Sequence, residues 1–225
     1  MGHFIAIEGG DGSGKGTQSM MLSEWATEQG LDVLKISFPQ YGEPSAYYAE
    51  KYLNGVYGDA NNVPADLGVL PFAIDRFAAK EKIKNHLEKP SSLVIADRYM
   101  ASNLAHQGTK VANANDRKAF YSQTLKTEYE VLAIPRPSKN IVLIVPTAIA
   151  QKNVDKKATR SYTDKKRDIH EADANHLELA KRNYSELCEI YPEEFTAIEC
   201  MSHSSLRSIE DIQQEIRLLI SGYVN

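Results

Sequence analysis

A glycine-rich segment near the amino terminus carries the most recognisable chemistry in this sequence. Gly9 to Lys15 has the spacing GxxxxGK; the apolar run 4–7 precedes it, and apolar residues at helical spacing follow it from Met20 to Trp25. Between a buried strand and a helix, such a turn lets main-chain N–H groups converge on an anion at the helix N-terminus. Lys15 adds a full positive charge that can reach the β- and γ-phosphates of a nucleotide. The segment is therefore predicted to be a phosphate-binding loop, and an incidental glycine-rich turn is the alternative.

One position of this loop departs from the common pattern. Gly16 stands where Ser or Thr is usual, and Thr17 comes one place late. The usual hydroxyl ligand of Mg²⁺ is therefore missing, so the ion would be held mainly by water and carboxylates. A dinucleotide-binding loop fits poorly, because no GxGxxG register matches these glycines.

A carboxylate and a guanidinium end another apolar run. Asp97 and Arg98 follow the predicted strand 93–96. The carboxyl edge of a parallel sheet is where ligands bind, and a phosphate-loop protein places its magnesium-associated carboxylate there. Catalytic use is therefore favoured over the alternative, a structural salt bridge.

Alternating strands and helices must position these groups. The predicted strands cover 4–7, 33–36, 93–96, 141–145 and 195–198. The predicted helices cover 16–29, 45–54, 65–88, 116–133, 147–156, 170–189 and 208–221. Apolar strands joined by helical crossovers predict a parallel sheet with helices on both faces.

The long helix predicted over 65–88 has two distinct faces. Leu70, Ile74 and Phe77 form an apolar stripe that we expect to face the core, and Phe72 and Arg76 lie on the opposite side. An aromatic ring and a guanidinium on one face suit stacking on, and hydrogen bonding to, a planar base. The equally weighted alternative is that Phe72 packs on a neighbouring helix and Arg76 is solvated.

Cations crowd the segment 156–167 ahead of the predicted helix at 170. Such a run is usually a solvated face. In a phosphoryl-transfer enzyme it also suits a mobile lid that brings positive charge over the phosphates and expels water.

Composition sets outer limits on function. The chain has 225 residues, 26 Lys and Arg against 30 Asp and Glu, a formal charge of −4 and two cysteines. This balance argues against a binder of nucleic-acid polymers, and no apolar run has the roughly 20 residues that a membrane span needs. We expect a single soluble domain in the cytoplasm, with no membrane partner and no structural metal.

The motifs taken together resemble the thymidylate kinase family in order and spacing. The matching segments are the loop 9–17 with its internal Asp11, Phe38-Pro39-x-Tyr41, Phe72-Ala-Ile-Asp75-Arg76, Asp97-Arg98-Tyr99 with Ser102-Asn103, and Arg167-Asp168-x-x-Glu171. The resemblance covers nearly the whole chain. It implies a three-layer α/β/α P-loop kinase fold with a five-stranded parallel sheet, in one domain over 1–225. That domain would hold the phosphate loop 9–17, an acceptor-nucleotide region 38–88 and a lid 157–171.

The resemblance also implies the reaction and the partners. ATP would donate its γ-phosphoryl group to dTMP with Mg²⁺ as cofactor, giving ADP and dTDP, in a homodimer. Lys15, Arg98, Asp11 and Asp97 would be catalytic. The residues implied to bind ATP are Gly10, Asp11, Gly12, Ser13, Gly14, Lys15, Gly16, Thr17, Arg160 and Arg167. The residues implied to bind the acceptor are Asp11, Phe38, Pro39, Tyr41, Phe72, Arg76, Arg98, Asn103, His106 and Gln107. Those implied to hold magnesium are Asp11, Asp97 and Glu171.

Some departures from the family pattern bear on acceptor choice. His106 stands where the family often has a Tyr near the 2′ carbon, and Gln40 where an Arg frequently faces the acceptor phosphate. Pro71 is expected to interrupt the acceptor helix just before Phe72. The alternatives are a kinase for dUMP or another nucleoside monophosphate and, from a different class, a P-loop ATPase switch.

Overall fold

The computed structural model describes residues 2–59, 62–155, 174–203 and 205–224. Its centre is a sheet of five parallel strands in the spatial order β2-β3-β1-β4-β5. The strands are β1 (His3–Gly9), β2 (Asp32–Ser37), β3 (Ser92–Asp97), β4 (Lys139–Ile144) and β5 (Phe195–Glu199). The predicted parallel sheet and its five strands are confirmed.

Helices cover both faces of this sheet. They are α1 (Lys15–Glu28), α2 (Tyr47–Leu53), α3 (Ala65–Gly68), α4 (Leu70–Leu87), α5 (Met100–Gly108), α6 (Ala114–Lys126), α7 (Thr147–Asp155), α8 (Ala174–Ile190) and α9 (Ile209–Ile220). A π-helical turn, Thr127–Val131, continues α6. A short antiparallel pair, β6 (Met201–Ser202) and β7 (Ser205–Leu206), precedes α9.

The apolar core lies in two layers, one on each side of the sheet. Alternate residues of β1 supply them: Phe4 packs with α4, α5, α6 and α8, whereas Ile5 packs with α1, α7 and α9. This alternation is what a strand buried on both faces requires. The predicted three-layer α/β/α arrangement is therefore confirmed.

Strand register brings the candidate chemical groups to one edge. Ile7 of β1 lies beside Asp97 of β3, and Gly9 lies beside Leu143 of β4. The loop that follows β1 therefore starts next to the carboxyl ends of its two neighbouring strands.

The acceptor-region helix differs from its prediction in two ways. The stripe of Leu70, Ile74 and Phe77 faces outward, with exposed fractions of 45, 46 and 48%. The expectation that this stripe packs in the core is wrong, because the inward face carries Ala73, Arg76 and other small or polar residues. The helix predicted over 65–88 is divided at Val69 into α3 and α4, so the chain is interrupted close to Pro71, two residues earlier than expected. Pro71 itself stands in the first turn of α4, where a missing N–H leaves no helical hydrogen bond unmade.

One helix was not predicted at all. α5 has only nine residues, and its polar residues Asn103, His106 and Gln107 are buried together with its apolar ones. Among the helices in the described ranges, none is long and apolar enough to cross a membrane.

Candidate active site

The phosphate-binding loop takes its predicted place between β1 and α1. Lys15 is buried, and its Nζ donates to the main-chain oxygen of Gly10 at 2.7 Å. Gly12 has φ +79°, and a Cβ there would lie 2.0 Å from the main-chain oxygen of Ala150. Only glycine fits this position, because α7 packs directly on the loop.

Asp97 lies at the side of this loop, as the strand register requires. A Cβ at Gly16 would be 3.3 Å from Asp97 Oδ2, so the start of α1 and the end of β3 are in near contact. The carboxylate therefore faces the position where a hydroxyl side chain is usual in phosphate-binding loops.

Arg98 leaves β3 with an unusual backbone conformation. Its φ is +66°, in the left-handed region that residues other than glycine seldom adopt. Two hydrogen bonds hold this turn: Arg98 N donates to Ile7 O at 3.0 Å, and Tyr99 N donates to Glu8 Oε1 at 2.7 Å. Such strain at a sheet edge is typical of functional sites.

The turn aims the guanidinium of Arg98 at the phosphate-binding loop. It donates to the carboxylate of Asp11, to Gly9 O at 3.2 Å and to Ser102 Oγ at 3.3 Å. Burial lowers the pKa of Arg98, but Asp11 together with Tyr184, Asp97 and Glu8 outweighs this effect, and the pKa is raised well above its ordinary value. Arg98 therefore stays cationic at any working pH.

Glu8 holds the turn at Arg98 and Tyr99 in place from the buried interior, and it was not predicted from the sequence. Its side chain is fully buried and also accepts from Ser102 Oγ at 2.8 Å and from Tyr184 Oη at 3.4 Å. Burial raises the pKa of Glu8, and the hydrogen bond from Ser102 and the charge of Arg98 offset part of the increase. A glutamate at the end of an apolar strand was the available clue.

A cavity opens beside the loop. Its lining combines aromatic side chains with a few polar and charged groups, as small-molecule binding sites do. All ten residues predicted to bind the acceptor line it: Asp11, Phe38, Pro39, Tyr41, Phe72, Arg76, Arg98, Asn103, His106 and Gln107. Leu53, Tyr99 and Ser102 complete the lining among the described residues.

Arg76 and Asn103 occupy one part of this cavity wall. Arg76 forms a buried ion pair with Glu128, with Nε to Oε2 at 2.7 Å and Nη2 to Oε1 at 2.6 Å. Asn103 Nδ2 donates to the same Glu128 Oε1 at 3.0 Å. Burial lowers the pKa of Arg76, but its neighbour Glu128 outweighs this and raises it.

Phe72 and Gln107 complete this part of the wall. The Phe72 ring lies edge to face against Tyr52, with centroids 5.7 Å apart. Tyr52 Oη donates to Gln107 Oε1 at 3.2 Å, whereas Gln107 Nε2 is buried without a hydrogen-bond partner among the described residues. A buried donor of this kind is expected to be satisfied by water or a ligand.

The loop after β2 is tied to α4. Asp75 is fully buried and accepts from Gln40 N at 2.7 Å and from Ser45 Oγ at 2.6 Å. The side-chain amide of Gln40 also donates to Asp75. The Gln40 side chain therefore points away from the cavity that Phe38 and Pro39 line. Arg76 and Arg98 are the cationic side chains that line the cavity within the described part of the chain.

His106 lies in the cavity wall against a second histidine. Its Nδ1 is 3.1 Å from Nε2 of His176, the two rings stack at 25°, and both residues are buried. Burial lowers the pKa of His106 well below its ordinary value, and His176 and Arg98 lower it further. His176 was not predicted, because nothing in the sequence links α8 to α5.

Some predicted residues fall outside the described ranges. Arg160, Arg167 and Glu171, all in the predicted lid 157–171, are among them. Within the described ranges, no group of three or more His, Cys, Asp and Glu side chains is arranged to hold a metal ion.

The phosphate-binding loop follows the central strand of a parallel sheet, and an arginine links this loop to the cavity beside it. This arrangement defines a P-loop kinase fold. Comparison with known proteins gives the family. The family model described as thymidylate kinase matches residues 7–216, so the chain belongs to the thymidylate kinase family. The resemblance predicted from the motifs is therefore confirmed.

Individual relatives agree with this assignment. The chain is similar to a probable thymidylate kinase of Pyrococcus horikoshii, with 29% identity over 97% of this chain and 96% of that protein. It is 34% identical to a thymidylate kinase of Mycobacterium tuberculosis H37Rv over 82% of this chain and 85% of the relative. The solved structure of a thymidylate kinase from Candida albicans shares the fold, with a TM-score of 0.69 and 19% identity over 98% of this chain and 92% of that one.

Proposed function

We propose that this protein transfers the γ-phosphoryl group of ATP to dTMP, giving ADP and dTDP. The observation that carries the proposal is the position of Arg98, which lines the acceptor cavity and also binds the phosphate-binding loop through Asp11 and Gly9. A cation in that position can contact both the donor and the acceptor phosphate groups. Membership of the thymidylate kinase family supports the choice of reaction.

The donor site is assigned to the phosphate-binding loop. Main-chain N–H groups from Gly10 to Thr17 would surround the phosphates, and Lys15 would leave its contact with Gly10 O to bind them. Ser13 Oγ is buried without a partner among the described residues, so it too is available to a phosphate oxygen. Arg160 and Arg167 remain predicted contributors from the lid.

The acceptor site is assigned to the cavity. Phe72 would stack on thymine while Arg76 donates to its carbonyl edge, and Phe38, Pro39 and Tyr41 would form the opposite wall. A second set, Asn103, His106 and Gln107, would contact the base and sugar from α5.

Magnesium fits the carboxylates that the described residues provide. Asp97 lies beside the loop, and Asp11 lies between the loop and the cavity, where Arg98 already binds one of its oxygens. Mg²⁺ keeps several of its waters and needs only one or two carboxylates besides the phosphates. When bound it would neutralise charge on the donor phosphates, and Asp97 and Asp11 would hold its water shell, with Glu171 as the remaining predicted ligand.

Catalysis would then depend on positioning and on positive charge. The transferred phosphoryl group passes through a loose transition state whose charge is spread over its oxygens, and no covalent intermediate with the protein is needed. Lys15 from the donor side and Arg98 from the acceptor side would stabilise that charge. The ion pair with Asp11 holds Arg98 in place before substrate binds, so little reorganisation is required.

The proposal includes a homodimer. The outward stripe of Leu70, Ile74 and Phe77 continues into exposed Leu67 on α3. Contiguous apolar surface of this kind on a globular protein marks an interaction site. A second copy of the same stripe would cover it by two-fold symmetry.

A coupled assay of ADP release tests the proposed function. The purified protein is given ATP and Mg²⁺ with dTMP, dUMP, AMP or no acceptor. Strict dependence on dTMP is expected. A preference for dUMP or AMP would identify a different nucleoside monophosphate kinase, and equal ATP turnover without any acceptor would favour the ATPase switch.

A further inference from the structure

Glu128 lies behind the cavity wall on the π-helical turn that follows α6. It is 1% exposed, and its two oxygens accept from Arg76 at 2.6 and 2.7 Å. π-helical turns are rare and occur often at functional sites. Glu128 does not itself line the cavity, so any influence on a ligand must pass through the residues that it holds.

One of those residues is Asn103, whose amide orientation is fixed by its partners. Its Nδ2 donates to Glu128 Oε1 at 3.0 Å and to the main-chain oxygen of Val69 at 3.1 Å. A carboxylate and a carbonyl can only accept, so the amide nitrogen must face them. Both amide hydrogens are used in this way. The atom that Asn103 can offer to the cavity is therefore Oδ1, an acceptor.

The other residue is Arg76, which can only donate. Glu128 takes hydrogens from Nε and Nη2, and Nη1 lies 3.4 Å from the main-chain oxygen of Tyr99. Nη1 carries two hydrogens, so it retains one for the cavity. Arg76 and Asn103 share Glu128 Oε1, which places the donor and the acceptor side by side.

A donor beside an acceptor matches one kind of base edge. Thymine and uracil present a carbonyl oxygen next to a ring N–H, which is the complementary pair. Cytosine presents an amino group next to a bare ring nitrogen, so donor would meet donor and acceptor would meet acceptor.

We propose that Glu128 is a positioning residue that selects 4-keto pyrimidine nucleotides, by fixing Arg76 as the donor and Asn103 as the acceptor at the base edge. The assignment rests on the proposed function, in which these two residues face the acceptor base. It adds a residue that touches no substrate yet determines which base is accepted.

The variant Glu128→Gln tests the assignment. A glutamine amide can donate to Asn103 Oδ1, so the Asn103 amide is free to turn its nitrogen toward the cavity. We measure kcat/KM for dTMP, dUMP and dCMP at saturating ATP. The preference for dTMP over dCMP is expected to fall by about 10-fold or more, while the ratio of dTMP to dUMP stays within about 2-fold. Glu130→Gln is the matched control, because Glu130 lies exposed on the same turn.

The pattern across acceptors separates positioning from a general structural role. If Glu128 has only a structural role, Glu128→Gln lowers kcat/KM for dTMP and for dCMP by the same factor, so their ratio does not change. An unchanged ratio therefore overturns the assignment. If circular dichroism shows that Glu128→Gln does not fold, Asn103→Ala replaces it, because this variant removes the acceptor and keeps the Arg76–Glu128 pair. An unchanged ratio in Asn103→Ala then overturns the assignment, and the same fall supports it.

The wild-type enzyme separates this assignment from the proposed function. Wild-type turnover of dTMP combined with an unchanged ratio in the variant overturns the role of Glu128 alone. No wild-type turnover of dTMP overturns the proposed function and this assignment with it.

Discussion

The guanidinium of Arg98 donates to the carboxylate of Asp11, and this ion pair joins the phosphate-binding loop to the acceptor cavity. The two residues are 87 positions apart in the chain. They meet because β1 and β3 are adjacent parallel strands that end at the same edge of the sheet. Donor and acceptor phosphates brought to either side of the pair would share one fixed cation.

Replacement of Arg98 is expected to remove most turnover without unfolding the protein. Loss of a preorganised cation at the transferred group typically costs about 100- to 1,000-fold in kcat. Arg98→Ala is compared with Arg136→Ala, since Arg136 is an exposed arginine that pairs with Glu194 and does not line the cavity. Steady-state kinetics and thermal melting check the outcome, and near-normal kcat in a folded Arg98→Ala enzyme would contradict it.

Lys15 is expected to act on the donor side. Lys15→Ala should raise KM for ATP and lower kcat by about 100-fold or more, because its charge reaches the phosphates whose negative charge grows during transfer. Lys89→Ala is the control, because Lys89 is exposed and pairs with Asp32 on the opposite edge of the sheet. Unchanged kinetics with ATP in Lys15→Ala would show that the loop does not bind the donor as proposed.

Asp75 is expected to control acceptor binding through the loop that follows β2. Asp75→Asn removes the charge that receives hydrogen bonds from Gln40 and Ser45, so Phe38 and Pro39 lose their fixed position. Loss of one such bond is worth about 1.5–3 kcal/mol, which predicts an increase of about 10-fold or more in KM for dTMP. KM for ATP should not change. Asp66→Asn on exposed α3 is the control, and an equal rise in both KM values would point to general loosening instead.

His106 is expected to make stability depend on acid pH. Its folded-state pKa is lowered by burial beside His176, so below about pH 6.5 the unfolded chain binds a proton that the folded chain does not. His106 therefore does not change the free energy of unfolding above that pH. Below it, the free energy of unfolding declines as the pH falls, by at most about 1.4 kcal/mol per pH unit. Urea unfolding from pH 7.5 to 5 should show a shallower decline in His106→Asn than in the wild type. His203→Asn at an exposed site is the control, and equal slopes in all three proteins would contradict the prediction.

The outward apolar stripe of α4 is expected to hold two copies together. Ile74→Glu places a charge in the centre of the stripe and should shift sedimentation from dimer to monomer. Leu218→Glu, on α9 at a site 72% exposed, is the control that should leave the assembly unchanged. A monomeric wild-type protein would contradict the proposed homodimer. A dimeric Ile74→Glu variant would show that the interface lies elsewhere.

Local patterns were enough to predict the sheet and the phosphate-binding loop. Each of the five strands is a short apolar run, and the glycines and Lys15 lie between a strand and a helix within about twenty residues. Asp97 and Arg98 could be placed for the same reason, since the end of a buried parallel strand fixes which edge they occupy.

Helix orientation could not be predicted in the same way. The apolar stripe of α4 was expected to face inward, yet the inward face holds Arg76, which the buried carboxylate of Glu128 neutralises. A pattern of apolar residues cannot distinguish a core face from a surface that a partner covers. Glu128, Glu8 and His176 were missed because each acts on residues at least 25 positions away in the chain.

The central claim is tested most directly by following the phosphoryl group itself. The protein is incubated with γ-³²P-labelled ATP, Mg²⁺ and dTMP, and the nucleotides are separated by chromatography. The label is expected to move from ATP into dTDP in step with ADP formation, and Arg98→Ala is expected to abolish this transfer while Arg136→Ala does not. Label released as inorganic phosphate, with no labelled dTDP, would contradict it.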